Sequence, residues 1–159
     1  MINPSQYCEL ILERAFRAVD MYSADAHYLL ARTAAMESSL THLKQVPTGP
    51  ALGFMQVEGD TYNDIIRYLN IRTDIKDKIL KYCNYQELPG EEHLIFNLAF
   101  NALIARVKYW MIPDPIPPYG NAYAQAEYYC IYYAVSSSEV LESRIDRFVG
   151  CAKHIDGCI

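Results

Sequence analysis

The chain has 159 residues, a mass of 18.2 kDa and a net charge of −5, from 14 basic and 19 acidic side chains. That length suits one compact domain with a real core and is short for two. A hydrophobic share of 52% against 21% charged excludes a disordered chain, and the acidic balance without a local Lys/Arg cluster argues against sequence-independent nucleic-acid binding.

Residues 1–20 include Glu9, Glu13, Arg14, Arg17 and Asp20, so they lack the uncharged apolar stretch of a signal peptide. No window approaches the ~18 apolar residues of a membrane span. The expectation is a protein made in a cytoplasm, without membrane insertion and without export of its own. Five scattered cysteines without Cys-x-x-Cys pairs read as reduced, mostly buried thiols. Cys151, His154 and Cys158 share a helical face, but structural zinc takes four ligands from separated pairs, so no metal or other cofactor is expected.

Along the chain, Leu10, Ile11, Ala15, Ala18, Val19 and Tyr22 recur at helical spacing and predict a helix over 5–22. Ser23 is an N-cap for a second helix, 24 to about 43, that carries Glu37. Pro47, Gly49 and Pro50 break it, and 45–58 is too rich in Pro and Gly for a helix yet too apolar for a solvated loop. A folded-in turn or small β-hairpin is expected there. Asp60 or Thr61 caps a helix to about 70, and Thr73 another over 74–83. Gly90 opens the longest helix, 91–111, on the period of Leu94, Leu98, Ala102, Ala105 and Tyr109. Four prolines within 113–118 then force an extended turn. A tyrosine-rich helix over 121–135 follows, and the capping-box pattern Ser136-x-x-Glu139 starts a last one, to about 155. The fold class is mainly α, with any β confined to 45–58, and 1–159 form a single domain without internal repeats.

Among residues able to carry chemistry, Glu37 comes first. Its neighbours at helical spacing, Thr33, Ala34, Leu40 and Thr41, include no Lys or Arg to neutralise it. Near a helix C-terminus it feels the negative end of the dipole together with partial desolvation, and both favour the protonated form that a general acid needs. A solvated helix glutamate is the plain alternative. In the following block Gly53 permits close backbone approach, Met55 offers an adaptable apolar surface, and Gln56 has a donor and an acceptor for sugar hydroxyl or acetamido groups. A buried loop plugged by Phe54 and Met55 is the alternative there. The chain has 14 tyrosines, six of them within 119–133. Aromatic faces suit sugars, but their spacing of four marks most of them as core, with any exposed remainder suited to protein contacts. His42 lies off the face of Glu37 and reads as a polar helix-end residue.

The sequence Glu37-Ser38, then Gly53-Phe54-Met55-Gln56, then Thr61, resembles the Glu-Ser, Gly-Leu-Met-Gln and Thr pattern of the soluble-lytic-transglycosylase and goose-type-lysozyme superfamily. Gly49-Pro50-Ala51-Leu52-Gly53, Ala105-Arg106-Val107 and Ala126-Glu127-Tyr128-Tyr129 are similar to its tailed-phage virion and prophage branch. Segments 24–66 and 91–134 carry the resemblance. It implies a lysozyme-like domain that cleaves the β-1,4 bond between N-acetylmuramic acid and N-acetylglucosamine in peptidoglycan, with Glu37 as catalytic acid and base. Ser38, Met55, Gln56 and Tyr133 are the implied substrate-binding residues, Tyr133 with its hydroxyl toward Glu37. Hydrolysing relatives add an aspartate to hold water, for which Glu58, Asp60 and Asp64 are candidates. Transglycosylases use no second carboxylate, and that chemistry is preferred, because Asp60 and Asp64 suit a helix N-terminus. The chain departs from the pattern in Phe54 for leucine and in Tyr133-Ala134 for Tyr-Asn. Peptidoglycan strands and other virion proteins are the implied partners, with action in the periplasm or cell wall after delivery by a phage particle. The same resemblance also fits a non-catalytic phage structural protein that keeps the helical scaffold for assembly.

Overall fold

A computed structural model describes residues 2–135 and 137–159. The fold is mainly α, with eight helices among the described residues. The first, α1, is continuous through three segments, Pro4–Gln6, a wide-turned Tyr7–Glu13 of π type, and Arg14–Ala18. Asn3 caps its start by accepting from Gln6 N, and Pro4 fits the first turn, where no backbone donor is needed. Then come α2 (Ala24–Ser38), α3 (Gly59–Ile71), α4 (Thr73–Cys83), α5 (His93–Phe96), α6 (Leu98–Trp110), α7 (Ala122–Tyr132) and α8 (Leu141–Asp156).

Helix α2 is the axis of the molecule. It packs against α1, α6, α7 and α8, and most of its side chains are buried, so it has no solvent stripe of the usual amphipathic kind. Ser23 caps it as expected, its Oγ accepting from Ala26 N at 3.1 Å. The end comes earlier than the predicted residue 43. Ser39 and Leu40 both adopt positive φ, 51° and 53°, a left-handed conformation that stops helix propagation. The Ser38 hydroxyl supports this stop by donating to Ala34 O at 3.0 Å and accepting from Leu40 N at 3.2 Å.

The predicted helix over 91–111 is two helices. Asn97 leaves helical geometry and caps α6 with its side chain, accepting from Phe100 N at 2.9 Å. Two N-terminal assignments also shift. Glu58, not Asp60 or Thr61, is the flanking residue of α3, and Thr73 is the first residue of α4 rather than its cap. Ser136 of the expected capping box lies outside the described residues. Helix α8 opens at Leu141, and the Glu139 carboxylate instead accepts from Ser143 and Arg147. Asn121 caps α7.

Every helix reaches one continuous hydrophobic core, from Tyr7 and Phe16 through Leu29, Leu30, Leu69 and Phe100 to Phe148 and Ile155. Burying each such side chain contributes about 1.5–3 kcal/mol. Arg32, itself in α2 and buried, provides the polar counterpart. Its Nε and Nη2 form a bidentate pair with Asp156 of α8 at 2.9 and 2.6 Å, and its Nη1 donates to Gln125 Oε1 of α7 at 2.8 Å. Gln125 Nε2 in turn donates to Asp25 O and Pro117 O, which ties down the proline-rich turn. Removing Arg32 leaves Gln125 Oε1 buried without its donor, and leaves Asp156, one third exposed, without its cation. Arg32→Met should therefore lower unfolding free energy by about 1–3 kcal/mol in urea titrations; a loss below about 0.5 kcal/mol, the level of an exposed surface pair, would contradict this role.

Candidate functional site

The stretch after α2 folds inward, as its apolar residues require. Leu52 and Val57 exchange backbone hydrogen bonds at 2.9 and 3.0 Å, closing a tight turn over Gly53–Gln56, and Gly53 N donates to Leu43 O. Gly53 has φ +72°, and a Cβ there would stand 2.3 Å from Asn101 Nδ2 and 2.4 Å from Leu94 O, so only glycine fits. Buried Asn101 of α6 holds the turn by accepting from Met55 N at 3.0 Å and donating to Leu52 O at 3.4 Å. Below it the ring of Tyr7 meets Phe54 edge-on at 5.6 Å.

This turn and the end of α2 form one wall of a cleft of about 890 Å³. Glu37, Gln56, Glu58 and Thr61 line it on that side. Lys108 of α6, Tyr129 and Tyr133 of α7 and its end, and Arg144 and Arg147 of α8 line the other. Glu37 is half-buried at the base. The Tyr129 hydroxyl donates to Glu37 Oε1 at 2.6 Å, and the Tyr129 ring stacks on Tyr133, which stacks on Tyr109. Burial pushes the Glu37 carboxyl above its ordinary value. The Tyr129 bond and the charges of Lys108 and Arg147 pull it back, and Glu58 pushes it up, but desolvation prevails. Lys108 is pushed down to about 8 by burial, against the opposing pull of Glu37 and Glu58. Its Nζ donates to Tyr133 O at 3.0 Å and sits 3.9 Å from the Tyr133 ring centre.

The residues singled out from sequence divide into two groups. Glu37, Gln56 and Tyr133 come together in the cleft, with Gln56 Nε2 tied to Gly53 O at 2.7 Å. Ser38 and Met55 do not reach it. Ser38 is spent on the helix end, and Met55 is fully buried behind the turn, contributing its backbone rather than its thioether. The phenol on Glu37 belongs to Tyr129. Tyr133 instead donates to Met55 O at 2.7 Å, because it ends α7 and points beneath the turn. Of the acids after the turn, Glu58 lines the cleft, whereas Asp60 is exposed and Asp64 pairs with Arg67 on the surface at 3.1 Å. Ala134, at the place of the missing asparagine, offers its carbonyl to Arg144 Nη1 at 2.6 Å.

Sequence reasoning missed the cationic wall. Lys108, Arg144 and Arg147 lie at sequence distances where no local spacing rule relates them to Glu37. Tyr129 carried a signal, since it lies one helical turn from Tyr133 on the same face of α7.

The cleft presents a carboxyl biased toward its acid form, a phenol that fixes it, an amide at Gln56 anchored through its nitrogen to Gly53 O, and an opposing positive wall. Among the described residues, no cluster of three His, Cys, Asp or Glu side chains is arranged to hold a metal ion. Compared with protein-family models, with curated proteins and with solved structures, the chain matches none.

The raised Glu37 carboxyl carries a stability consequence. A native-state value above the unfolded one means that the folded protein gains from the proton. That gain is complete below the ordinary carboxylate range and is lost as pH rises through the native value. Glu37→Gln removes the cost of the buried charge, so thermal unfolding at pH 7 should occur at a higher temperature than in wild type. The difference should vanish when melts are repeated near pH 3. A variant less stable at pH 7 would show that the charged carboxylate is favoured by its surroundings.

Proposed function

We propose that the protein cleaves the glycan strands of peptidoglycan, as a lytic transglycosylase or muramidase acting on the N-acetylmuramic acid–N-acetylglucosamine β-1,4 bond. The observation that carries this reading is Glu37, a half-buried carboxyl with a raised proton affinity, clamped by Tyr129 at the base of an open cleft. The resemblance of Glu37-Ser38, Gly53–Gln56 and Thr61 to the lysozyme-like superfamily supports it independently of the geometry.

In the proposed reaction, protonated Glu37 gives its proton to the glycosidic oxygen as the bond from C1 to that oxygen breaks, leaving an oxocarbenium-like sugar. The carboxylate so formed takes a proton from the group that attacks C1, which restores the acid. Attack by the 6-hydroxyl of the same sugar gives a 1,6-anhydro end, and attack by water gives a reducing end. Glu58 is the second carboxylate of the cleft and is the residue available to orient a water. Tyr129 is a positioning residue that holds Glu37 Oε1 in place. Gln56, whose amide nitrogen is anchored to Gly53 O, is the polar contact for substrate. The wall of Lys108, Arg144 and Arg147 suits the carboxylates that stud an anionic polymer. Delivery inside a phage particle, to open the wall during genome entry, is the setting that the resemblance supports. No helix of the described residues is long and apolar enough to cross a membrane.

Purified peptidoglycan incubated with the protein should release muropeptides whose ends are read by mass spectrometry. Glu37→Gln should slow release by about 10²–10⁴-fold, the usual worth of a general acid. Absence of release by wild type, or equal release by Glu37→Gln, would leave a non-catalytic assembly role for the same scaffold. The pH profile supplies a second expectation. The Lys108 charge pulls the Glu37 carboxyl down, so Lys108→Met should move it further up and shift the alkaline limb of kcat/KM to higher pH. A limb that stays in place or moves to lower pH would exclude Glu37 as the acid that defines it.

A further inference from the structure

On the far side of α6 from the cleft lies a second, more open groove of about 380 Å³. Two steps along a helix turn a side chain through about 200°, so Arg106 and Lys108 leave α6 in opposite directions. Lys108 enters the cleft and Arg106 lines the groove. Trp110 and the proline-rich turn, chiefly Ile112, Pro113 and Ile116, supply most of the apolar lining, and Asp25 at the start of α2 and Asp114 in the turn add two carboxylates.

Arg106 is only 5% exposed, yet among the described residues no carboxylate pairs with it. Its Nε donates to Met21 O at 2.9 Å, while its two terminal nitrogens make no hydrogen bond among the described residues and are not sealed inside the core. The Trp110 ring centre lies 5.0 Å from the guanidinium carbon, which covers the group and leaves its donors open. The other buried arginine, Arg32, has all three nitrogens engaged, Nε and Nη2 by Asp156 and Nη1 by Gln125. A buried charge without a counter-ion costs several kcal/mol, and the planar fork of Arg matches a carboxylate with two parallel bonds. Burial pushes Arg106 down to about 10, which leaves it charged at neutral pH.

We propose that this groove binds a ligand carrying a single carboxylate on an apolar body. The carboxylate sits on the Arg106 fork, and the apolar body lies against Trp110, Ile112 and Pro113. Two acids at the groove set its selectivity. Asp25 accepts from Tyr119 N at 2.8 Å and Asp114 accepts from the Tyr132 hydroxyl, so both are held in place by the fold. Their charges oppose every negative charge on the ligand that the Arg106 fork does not meet, so one carboxylate held on the fork is favoured over the dianion of phosphate. The site is independent of the chemistry proposed for the cleft.

Trp110 is the only tryptophan in the chain, so its emission reports on this groove alone. The full chain is titrated with N-acetyl-leucine, with 4-methylpentanoate, with N-acetylleucinamide and with inorganic phosphate. Both carboxylates should change Trp110 emission saturably, with Kd in the millimolar range for such small probes, and the amide and phosphate should not. Tighter binding of N-acetyl-leucine identifies a peptide C-terminus as the natural source, and equal affinity identifies a free carboxylic acid. Arg106→Lys keeps the charge without the fork and should weaken carboxylate binding at least about tenfold. If that variant does not fold, the carboxylate-against-amide comparison on wild type decides alone. A flat response to both carboxylates, an equal response to amide or phosphate, or unchanged affinity in folded Arg106→Lys would overturn the proposal.

Discussion

The hydrogen bond from Tyr129 to Glu37 joins two helices that are 92 residues apart in sequence, and the cleft exists because that junction closes. It needs α2 to stop at Ser38, so that Glu37 sits in the final turn with open space beyond it. It needs α7 to lie alongside, which the stacking of Tyr129, Tyr133 and Tyr109 and the link from Arg32 to Gln125 secure. The inward turn over Gly53–Gln56 then completes the wall, held from below by Asn101 and from the α7 side by the Tyr133 hydroxyl on Met55 O. A single acid is thus desolvated by three separate pieces of chain. Its raised proton affinity is a property of their meeting rather than of its local sequence.

How much of this was legible beforehand follows from the range of each interaction. Periodicity located the helices well, and Ser23 announced the start of α2, because caps and amphipathic faces are local. The end of α2 was not legible, since Ser39 and Leu40 take positive φ without being Gly or Asn, and the stop depends on the Ser38 hydroxyl. Asn97 caps α6 in the midst of an apolar period that runs on both sides of it, so spacing alone reads 91–111 as one helix. Glu37 could be picked out from its small, uncharged neighbours. The positive groups facing it could not, because Lys108, Arg144 and Arg147 arrive on other helices. Tyr129 and Tyr133 share a face of α7, and only the tertiary arrangement decides which phenol meets the acid.

Helix α6 divides two electrostatic environments. One side carries Lys108 into a cleft that holds Glu37 and Glu58, where opposite charges moderate each other. The other side carries Arg106 into a groove where the guanidinium lies over the face of an indole and forms no ion pair among the described residues, although Asp25 and Asp114 also line that groove. Both cations are buried and both have lowered proton affinity, but only Lys108 is brought within about a unit of neutral pH. The ammonium yields readily to desolvation, whereas the delocalised guanidinium keeps its charge.

Helix α2 is enclosed on nearly every side from Ala26 to Met36, with Tyr28 alone partly open. A helix with one wet face can accumulate substitutions there at little cost, but this one has no continuous wet face. Ala31, Ala34 and Ala35 let the neighbouring helices approach closely, and any larger side chain would push apart the elements that border the cleft. Packing and the geometry of the cleft therefore constrain the same residues. Variation compatible with the fold is displaced to the exposed faces of α3, α4 and α8, which would let the outer shell diverge while the Glu37 helix stays nearly fixed.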